Sequence, residues 1–236
     1  MTRVDVLAFG PHPDDIEIGI GGIVAVHVDR GHEVGLCDLT QGELGTNGSA
    51  EERIREAQEA AEVLGVAWRE NLGWPDGGIA GDRATAEHVR SAVEFIRQVR
   101  PSVVAIPYWQ DRHPDHEAAS RVLKEAVFRA GLRQYAANGT AWKPDWTCYY
   151  FINEVSTPSF VVDITGSYDR KREALACHRS QFRPTGEGAA ETRLTGLRFL
   201  QMIESRDAHL GSVVGVGYAE SVVVEEPLVR DGLLKS

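Results

Sequence analysis

Residues 4–30 read VDVLAFGPHPDDIEIGIGGIVAVHVDR. An apolar run at Val4–Phe9 is followed by a charged turn at 10–17 and by a second apolar segment at Ile18–Arg30. This order predicts a strand, a loop and a helix, with Gly31 as the C-terminal cap. The turn carries one histidine and three acidic side chains, and the negative charges of the three acids repel one another. We therefore expect a bound cation to offset the repulsion at Asp14, Asp15 and Glu17.

The rest of the chain continues the alternation of strands and helices. A Ser49–Glu52 capping box predicts the start of the second helix, and Pro114 suits the first turn of a later one. Further strands are predicted at 33–39, 68–72, 101–108, 146–153 and 160–164, and further helices at 49–64, 85–99, 114–130, 168–179 and 190–209. The pattern predicts an α/β, Rossmann-like, mostly parallel sheet with helices on both faces. We expect one domain over 1–236, in which 146–236 completes the fold and supplies subunit contacts.

Charge and composition exclude several classes of protein. The 236 residues carry a formal net charge of −10, whereas nucleic acids and anionic membranes need a basic partner surface. Three cysteines without a CxxC motif argue against a disulfide framework or a thiolate zinc site. The start has too short an apolar core for a signal peptide, and no run reaches transmembrane length. We expect a cytoplasmic protein without nucleic-acid or membrane partners.

Three loops are predicted to meet at one edge of the sheet, because ligands of open α/β folds collect at the carboxyl ends of the strands. The loops span 10–17, 40–53 and 108–116. A single loop histidine or aspartate is usually a solvated side chain or a helix cap, but two His/Asp clusters at one edge favour a metal site. The potential ligands are His12, Asp15, His113, Asp115 and His116.

The glycines beside the first cluster have another explanation. Residues 17–22 read EIGIGG, which is not the GxGxxG of a dinucleotide site, and the neighbouring acids would repel a pyrophosphate. We expect these glycines to let the first helix pack closely on the sheet.

Five stretches of the sequence resemble one known family. PHPDDIEIGIGG (11–22), LTQGELGTNGSAEERIREAQEAAEVLGV (39–66), DRHPDH (111–116) and the pair RSQF (179–182) with GSVVGVGYAE (211–220) are similar to the LmbE-like (PIG-L) zinc-dependent N-acetylglucosaminyl deacetylases. The similarity is greatest to the bacillithiol-biosynthesis deacetylases, which act on N-acetylglucosaminyl malate. Gly10-Pro11 replaces the family's more usual Gly-Ala, outside the ligand set. The resemblance implies a small amino-sugar substrate and a trimeric or hexameric homo-oligomer.

The resemblance also implies a ligand set and a base. It makes His12, Asp15 and His116 the ligands of Zn²⁺, with Fe²⁺ or another divalent ion as alternatives. It makes Asp14 the general base, which takes a proton from water and returns it to the leaving amine.

Three more roles follow from the resemblance. His113 would stabilise the oxyanion, and Asp115 would orient His113 and keep it protonated; an aspartate there also complements a helix dipole. Arg53 would contact the substrate or the departing acetate, although a surface ion pair with Glu52 or Glu56 is the ordinary interpretation.

Several alternatives remain open at the level of sequence. The substrate can be another N-acetylglucosaminide, such as a mycothiol precursor or a chito-oligosaccharide. A His-Asp-His set also suits a mononuclear iron(II) oxygenase, and a metal-binding module without catalysis needs neither Asp14 nor His113. Arg112 and Arg183 are candidates for a malate carboxylate, and Trp109 is left unassigned.

Overall fold

The computed structural model describes residues 2–79, 82–185, 188–227 and 229. The predicted segment 146–236 therefore ends partly outside the described residues. The strands are β1 Val6–Gly10, β2 Val34–Thr40, β3 Trp68–Trp74, β4 Val103–Pro107, β5 Trp146–Tyr150, β6 Phe160–Asp163 and β7 Ala219–Val223. The helices are α1 Asp15–Asp29, α2 Ala50–Leu64, α3 Asp82–Val99, α4 Pro114–Ala130, α5 Tyr168–Cys177, α6 Arg179–Phe182 and α7 Leu197–Val214.

The described strands form a single sheet in the order β3-β2-β1-β4-β5-β7-β6. The pairs from β3 through β5 are all parallel, while β7 lies antiparallel to both of its neighbours. The predicted mostly parallel α/β fold is confirmed. The last strand along the chain, β7, is an inner strand of the sheet, because it lies between β5 and β6.

Helices cover both faces of this sheet. One apolar cluster joins α1, α2, α5 and α7 to the sheet, and a second joins α3 and α4 to the opposite face. The strands β1 and β2 are buried at every position, which explains their almost uninterrupted apolar sequence. None of the described helices combines the length and apolarity needed to cross a bilayer.

Two glycines bring α1 close to the sheet, as the sequence predicts. A Cβ on Gly19 would lie 2.3 Å from the Tyr150 ring, and one on Gly22 would lie 2.6 Å from Ile164. Both distances are far below van der Waals contact, so only glycine fits. Between them the helix is broken at Ile20, whose φ and ψ of −141° and 22° are not helical.

The break in α1 frees backbone groups, which side chains from the C-terminal third then satisfy. The Glu220 carboxylate accepts hydrogen bonds from the N–H groups of Gly22 and Ile23, at 3.0 and 2.6 Å. The Lys171 ammonium donates to the Ile18 carbonyl at 3.3 Å. Glu220 therefore caps the second half of α1 as an N-terminal aspartate or glutamate would.

Lys171 also joins two buried acids. Its Nζ lies 2.5 Å from Asp207 Oδ2 and 2.6 Å from Glu220 Oε1, and all three side chains are fully buried. The positive charge offsets two negative ones away from solvent. Arg206 Nε also lies 3.1 Å from Asp207 Oδ1, so removal of Lys171 leaves Glu220 as the buried carboxylate without a counter-charge.

Several predicted helix boundaries differ from the observed ones, and two of them are wrong for identifiable reasons. The first helix begins at Asp15 rather than Ile18, because acidic residues are favourable in a first helical turn. The helix predicted over 190–209 is α7, which begins only at Leu197. Before it, Thr192 and Thr195 exchange hydrogen bonds through their hydroxyls and backbone, and these bonds compete with helix formation.

The buried Lys171 pair predicts a large loss of stability on substitution. We expect Lys171→Met to lower the free energy of unfolding by about 3–5 kcal/mol, because the carboxylates of Asp207 and Glu220 stay buried. The matched control is Lys124→Met, which removes an exposed ion pair with Glu225. The Lys124 side chain is 58% exposed and that of Glu225 is 39% exposed. That control should cost at most about 1 kcal/mol. Urea denaturation measures both, and equal losses would contradict the assignment.

Candidate metal centre and active site

The charged loops meet at the carboxyl edge of the sheet, as predicted. The loop after β1 and the first turns of α1 and α4 bring His12, Asp15 and His116 together, all less than 9% exposed. A fourth loop also reaches this edge. It follows β3 and carries Asp76, a residue that the sequence analysis did not single out.

One carboxylate oxygen lies between two imidazoles. Asp15 Oδ2 is 3.1 Å from His12 Nδ1 and 3.3 Å from His116 Nε2. Ligands of a tetrahedral zinc ion lie about 3.3 Å apart, given metal–ligand distances of about 2.0–2.1 Å. Two nitrogens and one carboxylate oxygen are a donor set that zinc and other divalent ions accept. The two distances from Asp15 and the chemistry of the donors therefore fit a divalent ion.

The second nitrogen of each histidine faces a further carboxylate. His12 Nε2 is 3.1 Å from Asp76 Oδ1, and His116 Nδ1 is 3.1 Å from Asp111 Oδ1. Such carboxylates fix the tautomer and orientation of a metal-binding imidazole. Asp76 and Asp111 are thus positioning residues that sequence reasoning missed. The available signal was an acid directly after β3 and another at the start of DRHPDH.

Two other groups of potential ligands share this space. Nitrogens of His12, His113 and His116 lie within 4.8 Å of one another, as do atoms of His12, Asp76 and Asp115. We favour the set with Asp15, because its single oxygen contacts both buried rings. His113 is exposed, and its Nδ1 accepts the Asp115 backbone N–H at 3.3 Å as the N-cap of α4.

The predicted relation between Asp115 and His113 is wrong in its detail. The Asp115 carboxylate accepts the Gly77 N–H at 2.8 Å and lies 3.4 Å from His12 Nε2, so its close contacts are with these groups and not with the His113 ring. Asp115 orients His113 through its backbone instead. Burial, and then the nearby His116, lower the pKa of His113, although the Asp115 carboxylate acts in the opposite direction, as predicted. A neutral ring whose Nδ1 is an acceptor carries its proton on Nε2.

Asp14 has an unusual backbone and a buried side chain. Its φ of 111° is rare for a residue with a side chain, and strained backbone of this kind clusters at functional sites. As the N-cap of α1 it makes no capping hydrogen bond, so its carboxylate is free to face the site. Burial raises the pKa of Asp14 to about 6, even though the Arg53 guanidinium acts in the opposite direction.

Arg53 is a buried residue that holds the loops together. Its guanidinium donates to the carbonyls of Gly42 and Pro13, at 2.9 and 2.7 Å, and lies 3.3 Å from Asp14 Oδ2. A surface ion pair is therefore excluded, since Arg53 is only 5% exposed. Gly42 is required here, because a Cβ would lie 1.8 Å from the Arg53 guanidinium.

Glu17 does not belong with the cation site, contrary to the expectation from the sequence. Its carboxylate forms a fully buried salt bridge with Arg69, which also binds Asp38 at 2.7 Å. Burial alone would raise the pKa of Glu17, but Arg69 and His178 outweigh it and lower the value to about 2. A protein side chain offsets this charge, so no ion is needed for it.

A cleft of about 410 Å³ opens over these residues. Its wall combines the acidic and imidazole groups with apolar side chains from distant segments, namely Ile18, Leu44, Ile152, Leu194 and Phe199. Arg112 lines the cleft, whereas Arg183 lines neighbouring grooves beside α5 and α6 and is absent from this lining. Arg193 lines it instead, because the segment before α7 is not helical. Trp109 is absent from the lining and stays unassigned.

Metal affinity at this site should rise with pH. Burial alone would lower the pKa of His116, but the Asp15 and Asp111 carboxylates outweigh it and raise the value to about 9. Below that pH an ion must displace a proton from the ring. We expect the zinc dissociation constant, measured by competition with a chromophoric chelator, to fall steadily between about pH 6.5 and 9.

The same proton gives the metal-free protein the opposite dependence. The pKa of His116 is higher in the folded than in the unfolded protein, so its protonation stabilises the fold fully below the unfolded-state pKa. This stabilisation is lost as the pH rises through the folded-state pKa, so the Tm of the metal-free protein should decline over this interval. Asp111→Asn should shift both the rise in zinc affinity and the decline in Tm to lower pH. Asp169→Asn, at an exposed position, should shift neither. An affinity independent of pH would contradict the protonation of His116.

Comparison with known proteins places this fold and site in a family. The family described as GlcNAc-PI de-N-acetylase (PIG-L) matches residues 7–127. A diacetylchitobiose deacetylase of Thermococcus kodakarensis is 32% identical, over 75% of this chain and 70% of that protein. A Bacillus cereus protein named probable N-acetyl-α-D-glucosaminyl L-malate deacetylase 2 is 28% identical, over 75% and 83%.

A solved structure has the same fold as this chain. The conserved protein TT1542 from Thermus thermophilus is 36% identical and superposes with a TM-score of 0.88, covering 99% of this chain and 100% of that one. The family match begins in β1 and ends in α4, so it contains every residue that the sequence predicts as a metal ligand. This chain therefore belongs to the PIG-L (LmbE-like) de-N-acetylase family.

Proposed function

We propose that this protein is a metal-dependent hydrolase that removes the acetyl group from an N-acetylglucosaminide, with N-acetylglucosaminyl malate as the favoured substrate. The observation that carries the proposal is the shared Asp15 oxygen between His12 and His116, with the Asp14 carboxylate in the same cleft. The related deacetylases support the reaction class.

The proposed ligands of the ion are His12, Asp15 and His116, with zinc favoured and ferrous or another divalent ion as alternatives. When bound, such an ion supplies Lewis-acid chemistry, polarising the amide carbonyl and acidifying a water at its open position. Asp76 and Asp111 keep the two imidazoles in the orientation that ligation requires.

Asp14 is the proposed general base. Its carboxylate would accept a proton from the attacking water and return it to the nitrogen of the leaving amine. A base works best with a pKa near the operating pH, and burial moves Asp14 in that direction. Arg53 positions this carboxylate, and its place in the cleft wall supports the predicted contact with substrate or acetate.

His113 is the proposed donor to the amide oxygen as negative charge develops there. With Nδ1 engaged at the start of α4, its Nε2–H is the donor. The exposure of the ring suits a group that meets a substrate. Asp115 supports it through the backbone and is therefore a positioning residue.

The substrate beyond the amino sugar has two supported candidates. The resemblance of the motifs and the Bacillus cereus relative favour the malate derivative. The identity of 32% to a diacetylchitobiose deacetylase supports a chito-oligosaccharide as the second candidate. A homo-oligomer held by 146–236 and a cytoplasmic location stay predictions.

A substrate panel tests the proposal directly. We expect the fastest acetate release from N-acetylglucosaminyl malate, with slower release from N,N′-diacetylchitobiose and from an inositol-linked N-acetylglucosamine. A strong chelator should abolish the activity and a divalent ion should restore it. Faster turnover of a neutral glycoside would overturn the malate assignment alone, and full activity without metal would overturn the mechanism.

Two adjacent aspartates should fail in different ways. Asp15→Asn replaces an anionic ligand by a neutral one, so metal content and activity should fall together. Asp14→Asn keeps the shape but removes the proton acceptor, so metal should remain while kcat falls by about 10²–10⁴. Metal stoichiometry and kcat at one pH distinguish them. An Asp14→Asn protein that loses its metal, or keeps near-normal turnover, would rule out Asp14 as the base.

A further inference from the structure

Two exposed arginines line the mouth of the cleft. Arg112 and Arg193 both line it, and neither forms a salt bridge with a carboxylate in the described part of the chain. This is notable in a protein with 35 acidic and 25 basic residues. Partial burial and then the nearby Arg112 lower the pKa of Arg193, while the Glu154 and Asp111 carboxylates, neither in salt-bridge contact with it, act in the opposite direction.

Arg193 is held in place before any ligand arrives. Its guanidinium donates to Asn153 Oδ1 at 2.7 Å and lies over the Phe199 ring, 5.3 Å from the centroid. An arginine fixed by one hydrogen bond and one ring still presents other N–H donors on its planar fork. Such preorganisation reduces the entropy lost when a ligand binds.

Asn153 connects Arg193 to the metal centre. Its side-chain amide donates to Asp111 Oδ1 at 3.0 Å, and its backbone N–H donates to Asp111 Oδ2 at 3.0 Å. Asp111 in turn orients His116. The arginine is therefore fixed at a defined distance from the reacting end of the cleft, which is the condition for reading a remote part of a substrate.

We infer that Arg193 and Arg112 together bind an anionic group on the aglycone. Arg193 is then a specificity-determining residue. This rests on the proposed N-deacetylase function. An exposed guanidinium that forms no salt bridge within the described residues gains most from a carboxylate or phosphate, which accepts two parallel hydrogen bonds. Carboxylate and phosphate share this chemistry, so the substrate class is an N-acetylglucosaminide that carries either anion.

The first test compares substrates in one variant. For Arg193→Gln we expect the ratio of kcat/KM for N-acetylglucosaminyl malate to that for N,N′-diacetylchitobiose to fall about 10- to 100-fold, the range for one hydrogen bond to a charged group. The change should lie in KM and not in kcat. Added salt should raise KM for the malate substrate more in the native protein than in Arg193→Gln. Arg193→Lys, which keeps the charge without the fork, should retain part of the ratio.

Controls separate recognition from damage to the centre. Arg172→Gln removes an exposed arginine outside the cleft, and the ratio should stay as in the native protein. Metal content should be equal in all variants, because Asn153 retains its bonds to Asp111. An unchanged ratio in Arg193→Gln, or a fall explained by lost metal, would overturn the inference. N-acetylglucosamine 1-phosphate in the same assay distinguishes phosphate from carboxylate.

Direct binding keeps the inference testable if no N-acetylglucosaminide is deacetylated, a result that would overturn the proposed function alone. L-malate and inorganic phosphate are then titrated into the metal-loaded protein and followed by NMR. Binding that is weakened about tenfold or more in Arg193→Gln supports the anion site. Equal binding by the native protein and the variant overturns it.

Discussion

The structure depends on the separate neutralisation of three acids at the start of α1. Asp14, Asp15 and Glu17 fall within four residues, all at most 4% exposed, where unpaired charge is costly. Each acid is next to its own cationic or imidazole group, contributed by a different part of the chain. The partners are Arg53 of α2 for Asp14, His12 and His116 for Asp15, and Arg69 of β3 for Glu17. These pairings hold α2, α4 and β3 at the same end of α1.

This arrangement also explains why α1 is fixed at its middle. A helix that carries a metal ligand in its first turn must not slide along the sheet, because ligand distances tolerate only small errors. Gly19 allows the Tyr150 ring to lie directly against the helix, and the Tyr150 hydroxyl donates to the Phe9 carbonyl at 2.6 Å. Glu220 and Lys171 then hold the broken turn. The C-terminal third thus supports a site to which the N-terminal half contributes the ligands.

Local patterns predicted most of the fold, since apolar periodicity, Pro114 and the Ser49 cap act within a few residues. They also brought His12 and His116 to one edge, because parallel strands share that edge. They could not pair Glu17 with Arg69, 52 residues away, or aim the Asp115 carboxylate at Gly77. Both depend on packing between elements. The start of α7 was misplaced because hydroxyl hydrogen bonds at Thr192 and Thr195 outweighed a helical pattern.

The non-helical segment before α7 determines which charges line the cleft. A helix through Arg193 would have carried its side chain on a helical face, whereas the turn brings it to the mouth beside Arg112. The net charge of −10, taken alone, would repel an anionic substrate. Charges beyond the Debye length, about 8 Å at physiological ionic strength, are largely screened where solvent is present. A small anion at the mouth therefore experiences the two arginines more than the rest of the surface, whereas a nucleic acid or membrane spans many screening lengths and meets the acidic whole.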